Sequence, residues 1–277
     1  MTNRKVELIK LFFISGCFIS TAVNSATVFI DDFTIIKNGN VLFQDTFNNG
    51  LAPADTGGNT QAYNVIGGPF GVESGGKLAI DASLGQTVQR PDAGTMQRQG
   101  ARVLTNIDPT RPTKGLRLDD TFSVTGLFDL SDLSGVRERY GVRLTDGGLG
   151  SANDSVGLSV MRTSSNQMDI VFHSYDQTAF LFSDLDSVAL ESNHDQISLS
   201  LSRLDTSTNL ITASFAYVDA GVVGEYTTFA ATDSIFNGED ATRAQFIHLA
   251  PVPVPAAIWL FFSGLIGLTG IARYRKI

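Results

Sequence analysis

The sequence has little of what usually announces a chemistry. It contains one cysteine, Cys17, so neither an intramolecular disulfide framework nor a thiolate metal cluster is available. Three histidines leave little room for a His-rich metal site. The only tryptophan, Trp259, lies close to the C-terminus, so residues 27–250 hold none. Charged residues make up only 17%, too few for a solvated disordered chain or a long coiled coil. The formal charge of -8 argues against a nucleic-acid-binding surface. What remains is 277 residues with 27 glycines, a length that suits one or two domains.

Both ends of the chain read as addresses. Residues 1–26 carry Arg4, Lys5 and Lys10, then an apolar run from Leu11 to Ile19, then the small-residue stretch Thr21 to Ala26. A basic start, a short apolar run and a small-residue exit form the secretory signal pattern. A retained N-terminal anchor is the competing reading. A third reading arises because Ile14-Ser15-Gly16-Cys17 resembles a bacterial lipobox, which would lipidate Cys17. The apolar run continues past the cysteine, which weighs against it.

At the other end, Pro251-Val252-Pro253-Val254-Pro255 precedes an uncharged stretch, residues 256–272, and a basic close, Arg273, Arg275 and Lys276. Seventeen uncharged residues are at the short limit for a transmembrane helix. Trp259 suits the headgroup interface, and the basic close should stay in the cytoplasm. Proline lacks an N–H and restricts its predecessor, so the proline segment should sit extended outside the membrane, open to a protease.

The combination of Val252, Pro253, Pro255, Ala256, Ala257 and Trp259 with a Gly-spaced helix (Gly264, Gly267, Gly270) and the basic tail resembles the PEP-CTERM sorting signals, in their VPxPA-type variant. The class usually has Glu between the prolines, where this chain has Val254. The resemblance covers about the last 25 residues. It implies a Gram-negative bacterium, export across the inner membrane and a transient membrane anchor through the C-terminal helix. It further implies processing by an exosortase-type membrane transpeptidase, and a final place at the cell surface or outside it. Its association is with extracellular polysaccharide and biofilm.

Residues 27–250 hold 14 Lys and Arg against 27 Asp and Glu, a net charge of -13, with no cysteine. A cysteine-free exported domain must be held by core burial. Period-two alternation recurs in Tyr140–Leu144, Met168–His173, Ile197–Leu201 and Ile211–Tyr217, the mark of half-buried antiparallel strands. Further strands are predicted at Val28–Ile36, Val41–Phe43, Lys77–Ile80, Val103–Ile107, Thr121–Phe128, Val156–Met161, Tyr226–Phe229 and Gln245–Leu249. Turns are expected at Thr163–Asn166 and Asp205–Asn209. At least a dozen strands and no amphipathic helix predict an all-β fold. The most economical form is a two-sheet antiparallel β-sandwich of jelly-roll type. Thr46-Phe47-Asn48-Asn49-Gly50 after a short strand resembles the opening of concanavalin A-like lectin and laminin-G sandwiches.

Candidate chemistry is thin. Asp31-Asp32 and Asp119-Asp120 are neighbours, and neighbours on a strand face opposite ways, so neither makes a carboxylate pair alone. Lectin-like glucanases carry an E-x-D-x-x-E strand, and none occurs here. His173, His194 and His248 have no nucleophile elbow beside them. The Gly-rich loop with Asp146, Asn153 and Asp154 offers hard oxygen ligands and is the candidate for a structural Ca²⁺, against a plain solvated loop. Tyr140, Tyr175, Tyr217 and Tyr226 are the aromatics that would stack on sugars if exposed, and core packing is the safer assignment for most. These features point to a non-catalytic surface or matrix protein, with carbohydrate as the expected contact and no nucleic acid. A glycan-active hydrolase with an unrecognised site is the alternative.

Overall fold

A computed structural model describes residues 25–48, 63–66, 71–90, 94–103, 116–117, 119–146, 154–176, 179, 181–208, 210–230, 232–233 and 242–252. The chain divides into two compact units. Val23–Val252 holds every described residue, while Met1–Ala22 with Pro253–Ile277 lies outside them. Residues 1–24 of the predicted signal peptide, Cys17 among them, Asn153 and the sorting motif beyond Val252 therefore fall outside the described residues, while Ser25 and Ala26 are described.

The described residues form two antiparallel sheets packed as a sandwich, with one 3₁₀ turn, Ala82–Leu84. The first sheet is centred on β1 (Thr27–Lys37), β8 (Phe122–Asp129), β13 (Gln196–Arg203) and β14 (Leu210–Asp219). Beside β1 lie β2 (Asn40–Asp45) and β5 (Lys77–Asp81), with β4 (Val72–Ser74) beyond β5. The short strands β15 (Val222–Val223), β16 (Thr227–Thr228) and β17 (Thr232–Asp233) pair with β14. The second sheet runs β12 (Leu181–Ala189), β11 (Gln167–Asp176), β10 (Ser155–Ser164), β9 (Arg139–Asp146), β18 (Thr242–Pro251), β7 (Gly94–Val103) and β3 (Tyr63–Ile66). Its last member, β6 (Gln86–Arg90), pairs with β7. The two strands nearest the body's ends, β1 and β18, both sit inside their sheets.

Alternation builds the first sheet as expected. In β8, Phe122, Val124 and Phe128 point into the core while Ser123, Thr125 and Asp129 point out. Rings close the gap between sheets: Phe33 meets Phe246 edge-on at 5.2 Å, and Phe128 meets Tyr140 at 5.4 Å. Phe47, from the Thr46–Gly50 segment, has φ of 49°, and its N–H donates to Asp45 Oδ1 at 2.9 Å. Its ring packs on Phe246 at 6.1 Å, where burial holds an otherwise unfavourable backbone.

The second sheet departs from expectation. Its strands β9, β10 and β11 alternate in residue type, but their polar side chains are buried too: Arg139, Arg143, Ser159 and His173 are all nearly inaccessible. Their cover comes partly from the sheet's own edge. The Phe182 ring of β12 stacks on His173 at 5.0 Å and carries the Arg139 guanidinium at 4.4 Å, and Arg90 of β6 lies over Tyr175 at 4.7 Å. A guanidinium over an aromatic face keeps a favourable partner when water is removed.

One buried carboxylate fastens the two sheets. Glu138, which leads into β9, is fully buried and takes six donors. Its Oε2 accepts from Ser134 N–H (2.8 Å), Ser134 Oγ (3.0 Å) and Gly135 N–H (2.8 Å). Its Oε1 accepts from Ala26 N–H (2.9 Å), Ser25 Oγ (3.3 Å) and His248 Nε2 (3.0 Å). Ala82 N–H donates to His248 Nδ1 at 3.2 Å, which leaves the ring proton on Nε2, facing the carboxylate. Burial pushes the Glu138 carboxyl up, but the bonds from His248, Gly135 and Ala26 outweigh it and hold it down at about 2.

At the opposite end of the first sheet, buried Asp120 accepts from Asn38 Nδ2 (3.0 Å) and Arg117 N–H (2.9 Å). Arg203 donates to the Asp120 carbonyl at 3.0 Å. The Asp119-Asp120 turn is therefore structural.

Two glycines permit close strand approach in the second sheet. A Cβ at Gly141 would stand 2.1 Å from the Leu158 carbonyl oxygen, and one at Gly157 would stand 2.4 Å from the His173 ring. G141A is expected to cost at the upper end of about 1–3 kcal/mol, because its obstacle is backbone. G157A should cost less, because a ring can shift. Thermal melts of both variants test this, and the reverse ranking would contradict it.

Candidate functional site

The sequence places its loops at the ends of the sandwich, and one end carries an open cleft of about 570 Å³. Three segments meet there: residues 130–132 after β8, the β10–β11 turn, and residues 190–194 between β12 and β13. Leu130, Met168 and Leu190 supply its apolar part. Ser131, Asp132, Arg162, Asn166, Gln167, Ser192 and His194 supply polar groups. The lining thus mixes three apolar side chains with seven polar ones.

Its charged groups are already engaged. Arg162 donates to Asp132 and to the Leu133 carbonyl, and at 2.7 Å to the Ser165 carbonyl. His194 stacks on Tyr217 at 4.2 Å between ring centroids, nearly parallel. Its Nδ1 lies 2.7 Å from Asp219 Oδ2 and its Nε2 lies 3.5 Å from Glu191 Oε2. Hydrogen bonding to Asp219 raises the His194 pKa above its ordinary value, burial opposes this, and Glu191 adds to it. The same bond, with the Asp195 N–H, lowers that of Asp219. Both ring nitrogens face carboxylates, so when protonated His194 donates to Asp219 and Glu191 at once.

Two other arrangements were not visible in the sequence. Asp31 and Asp129, on neighbouring strands of the first sheet, both reach Lys77: its Nζ is 2.7 Å from Asp129 Oδ1 and 3.4 Å from Asp31 Oδ1. Gln196 donates to both carboxylates. Burial lowers the Lys77 pKa, but the bonds and charges of Asp129 and Asp31 leave it raised. The two carboxylates thus share one ammonium and one amide donor. The register irregularity between Ile30 and Asp32 turns Asp31 into this cluster, while Asp32 bonds Thr34 and Gln44.

The second is a Ser159–His173 pair, 3.0 Å between Oγ and Nε2, on the covered face of the second sheet. Burial and then Arg139, Arg90 and Arg143 push the His173 pKa well down. Its Nδ1 has no hydrogen-bond partner among the described residues, so the acid that would orient a catalytic triad is not in place.

The expected residues separate accordingly. Tyr140 and Tyr175 are buried, Tyr217 backs His194, and Tyr226 is 46% exposed with its hydroxyl 2.9 Å from Ser198 Oγ. Near Tyr226 the first sheet's outer face carries a row of hydroxyls, Thr34, Thr125, Ser200, Ser214 and Thr228, paired strand to strand. Asp146 closes β9, Asp154 leads into β10, and the Thr145–Ser155 pairing sets them across the mouth of one hairpin. No group of three or more His, Cys, Asp or Glu suited to a metal ion occurs among the described residues. No helix among them is long and apolar enough to cross a membrane.

Fold and cleft together define an all-β, two-sheet antiparallel sandwich with a polar end cleft. No family model matches the chain, and no curated protein does. Among solved structures it is similar to the CBM2 module of the evolved Dit of Lactobacillus casei BL23 phage J-1. That likeness has 12% identity and a TM-score of 0.36, covering 81% of this chain and 98% of that one. It is also similar to a carbohydrate esterase from the Shiga toxin-encoding bacteriophage phi24B, with 10% identity and a TM-score of 0.23, covering 69% and 88%. Likenesses this remote carry no argument about what the chain does.

The His194 cluster has a pH window. Asp219 is depressed in the fold, so its contribution is lost as pH falls through that lowered value. His194 is raised, so its contribution is full below 6.5 and is lost as pH rises through the folded value. An NMR titration of the His194 ring is expected to give a midpoint above 6.5, abolished by Asp219→Asn. A midpoint at or below 6.5 would contradict the pairing.

Proposed function

We propose that this chain is an exported, exosortase-sorted surface or matrix protein of a Gram-negative bacterium. In this reading it is non-catalytic and contacts neutral carbohydrate through the end cleft of its sandwich. The observation that carries the binding reading is the state of that cleft. Its polar groups converge on open space, yet its one histidine and its arginine are already held by carboxylates and carbonyls. Such groups can order the hydroxyls of a bound sugar.

The route rests on the sequence: Val252, Pro253, Pro255, Ala256, Ala257 and Trp259 with the basic end Arg273, Arg275 and Lys276. An exosortase-type transpeptidase is the partner it calls for, and the 256–272 segment is its transient anchor. The jelly-roll form belongs to the same proposal. It is supported by a chain that crosses between sheets repeatedly, as at β7–β8, β8–β9 and β12–β13. A Ca²⁺ at the β9–β10 hairpin is supported by the Thr145–Ser155 pairing, which brings positions 146 and 154 to the same hairpin mouth. The hydrolase alternative has the Asp31–Asp129 pair in its favour, and Lys77 against it.

A glycan array with the exported protein is expected to show binding to neutral oligosaccharides. Asn166→Ala with Ser192→Ala should weaken it roughly tenfold, about one lost hydrogen bond each. A silent array, or binding indifferent to both substitutions, would remove the cleft from the account. The sorting arm has its own readout, since surface material retaining the Arg-Tyr-Arg-Lys-Ile end would contradict processing.

A further inference from the structure

We infer that the mature chain begins at Val23, by hydrolysis of the Ala22–Val23 bond, and that Ser25 and Ala26 belong to the folded body. The inference rests on reading the N-terminal segment as an export signal, and it moves the boundary of that signal from 26 to 22.

Two independent observations meet at this bond. The first is structural. Ala26 N–H donates to Glu138 Oε1 at 2.9 Å, and Ser25 Oγ lies 3.3 Å from the same oxygen. Glu138 and its partner His248 are both fully buried. A chain starting at Thr27 would have lost the Ala26 and Ser25 donors, leaving a buried carboxylate oxygen with His248 alone of the three. Buried charges need their donors, because no water replaces them.

The second observation lies in the sequence. Export signals end in small residues at the first and third positions before the cut. Ser20 and Ala22 fill these positions for a cut after Ala22. A cut after Ser25 would place Val23 at the third position, and one after Ala26 would place Asn24 there, and both are larger than serine. The pair that suits the peptidase best therefore spares the residues that the fold uses. In the reaction, water adds across the peptide bond, Ala22 leaves with a new carboxylate, and Val23 receives the α-amino group. The enzyme needed is an export signal peptidase.

The test is mass spectrometry of the N-terminus after the full-length chain is expressed and exported in a Gram-negative host. Val23 is the expected first residue, and A22L is expected to abolish that terminus. A mature chain starting at Ala26 or Thr27 would overturn the inference and leave the export reading standing. A chain that keeps residue 1, or starts at a lipidated Cys17, would overturn both. An A22L product still starting at Val23 would also overturn the assignment.

Discussion

The sandwich depends on a carboxylate that has no access to water. Glu138 gathers the start of β1 through Ser25 and Ala26, the 134–135 turn, and β18 through His248. His248 in turn receives the N–H of Ala82, where the chain passes from β5 in one sheet to β6 in the other. Gly135 also packs beside Pro251, where a Cβ would stand 3.0 Å from the proline ring. The first and last parts of the described body therefore meet at one residue. Leaving a buried charged group short of a donor costs about 1–3 kcal/mol or more, a large share of a domain's net stability. For a chain without disulfides, such a clasp does part of what a covalent link would do.

The distribution of charge follows from the same constraint. The body is strongly acidic overall, yet Arg90, Arg139, Arg143 and Arg243 are all buried or nearly so. Two of them lie over aromatic rings, and Arg143 donates to Gln245 Oε1 at 2.6 Å. Several cations are thus placed in the fold, as are Asp120 and Glu138, while Asp132 at the cleft and Asp219 and Glu191 beside His194 stand largely exposed. An anionic polymer would meet the exposed carboxylates first, whereas a neutral glycan would meet hydroxyls, amides and an imidazole.

The strands that were legible in the sequence are those with a clean period of two. Phe122–Asp129 alternates core and half-buried residues, while Gln196–Arg203 alternates only in residue type because its polar face is covered too, and both lie inside the first sheet. The strands that were not legible lack that contrast. Leu181–Ala189 is an acidic edge strand, exposed over most of its length, and Gly94–Val103 carries Gln and Arg where hydrophobic residues would have signalled it. Its pairing with β18, β6 and β3 forms it regardless of propensity. The site was less legible than the fold. Glu138 reads as one of few glutamates, and half of its donors, from Ser25, Ala26 and His248, come from residues more than a hundred positions away. Asp31 and Asp129 likewise meet only through strand pairing and a register irregularity.

The most direct test of the Glu138 clasp is acid unfolding of the wild-type chain beside Glu138→Gln. A carboxyl depressed from 4.5 to about 2 contributes stability above 4.5 that is lost as pH falls through the folded value, on the order of 3 kcal/mol in all. The wild-type protein should therefore lose stability steeply between these values. E138Q should be less stable at neutral pH and lack that part of the acid limb. Superimposable acid limbs for the two proteins would contradict the account.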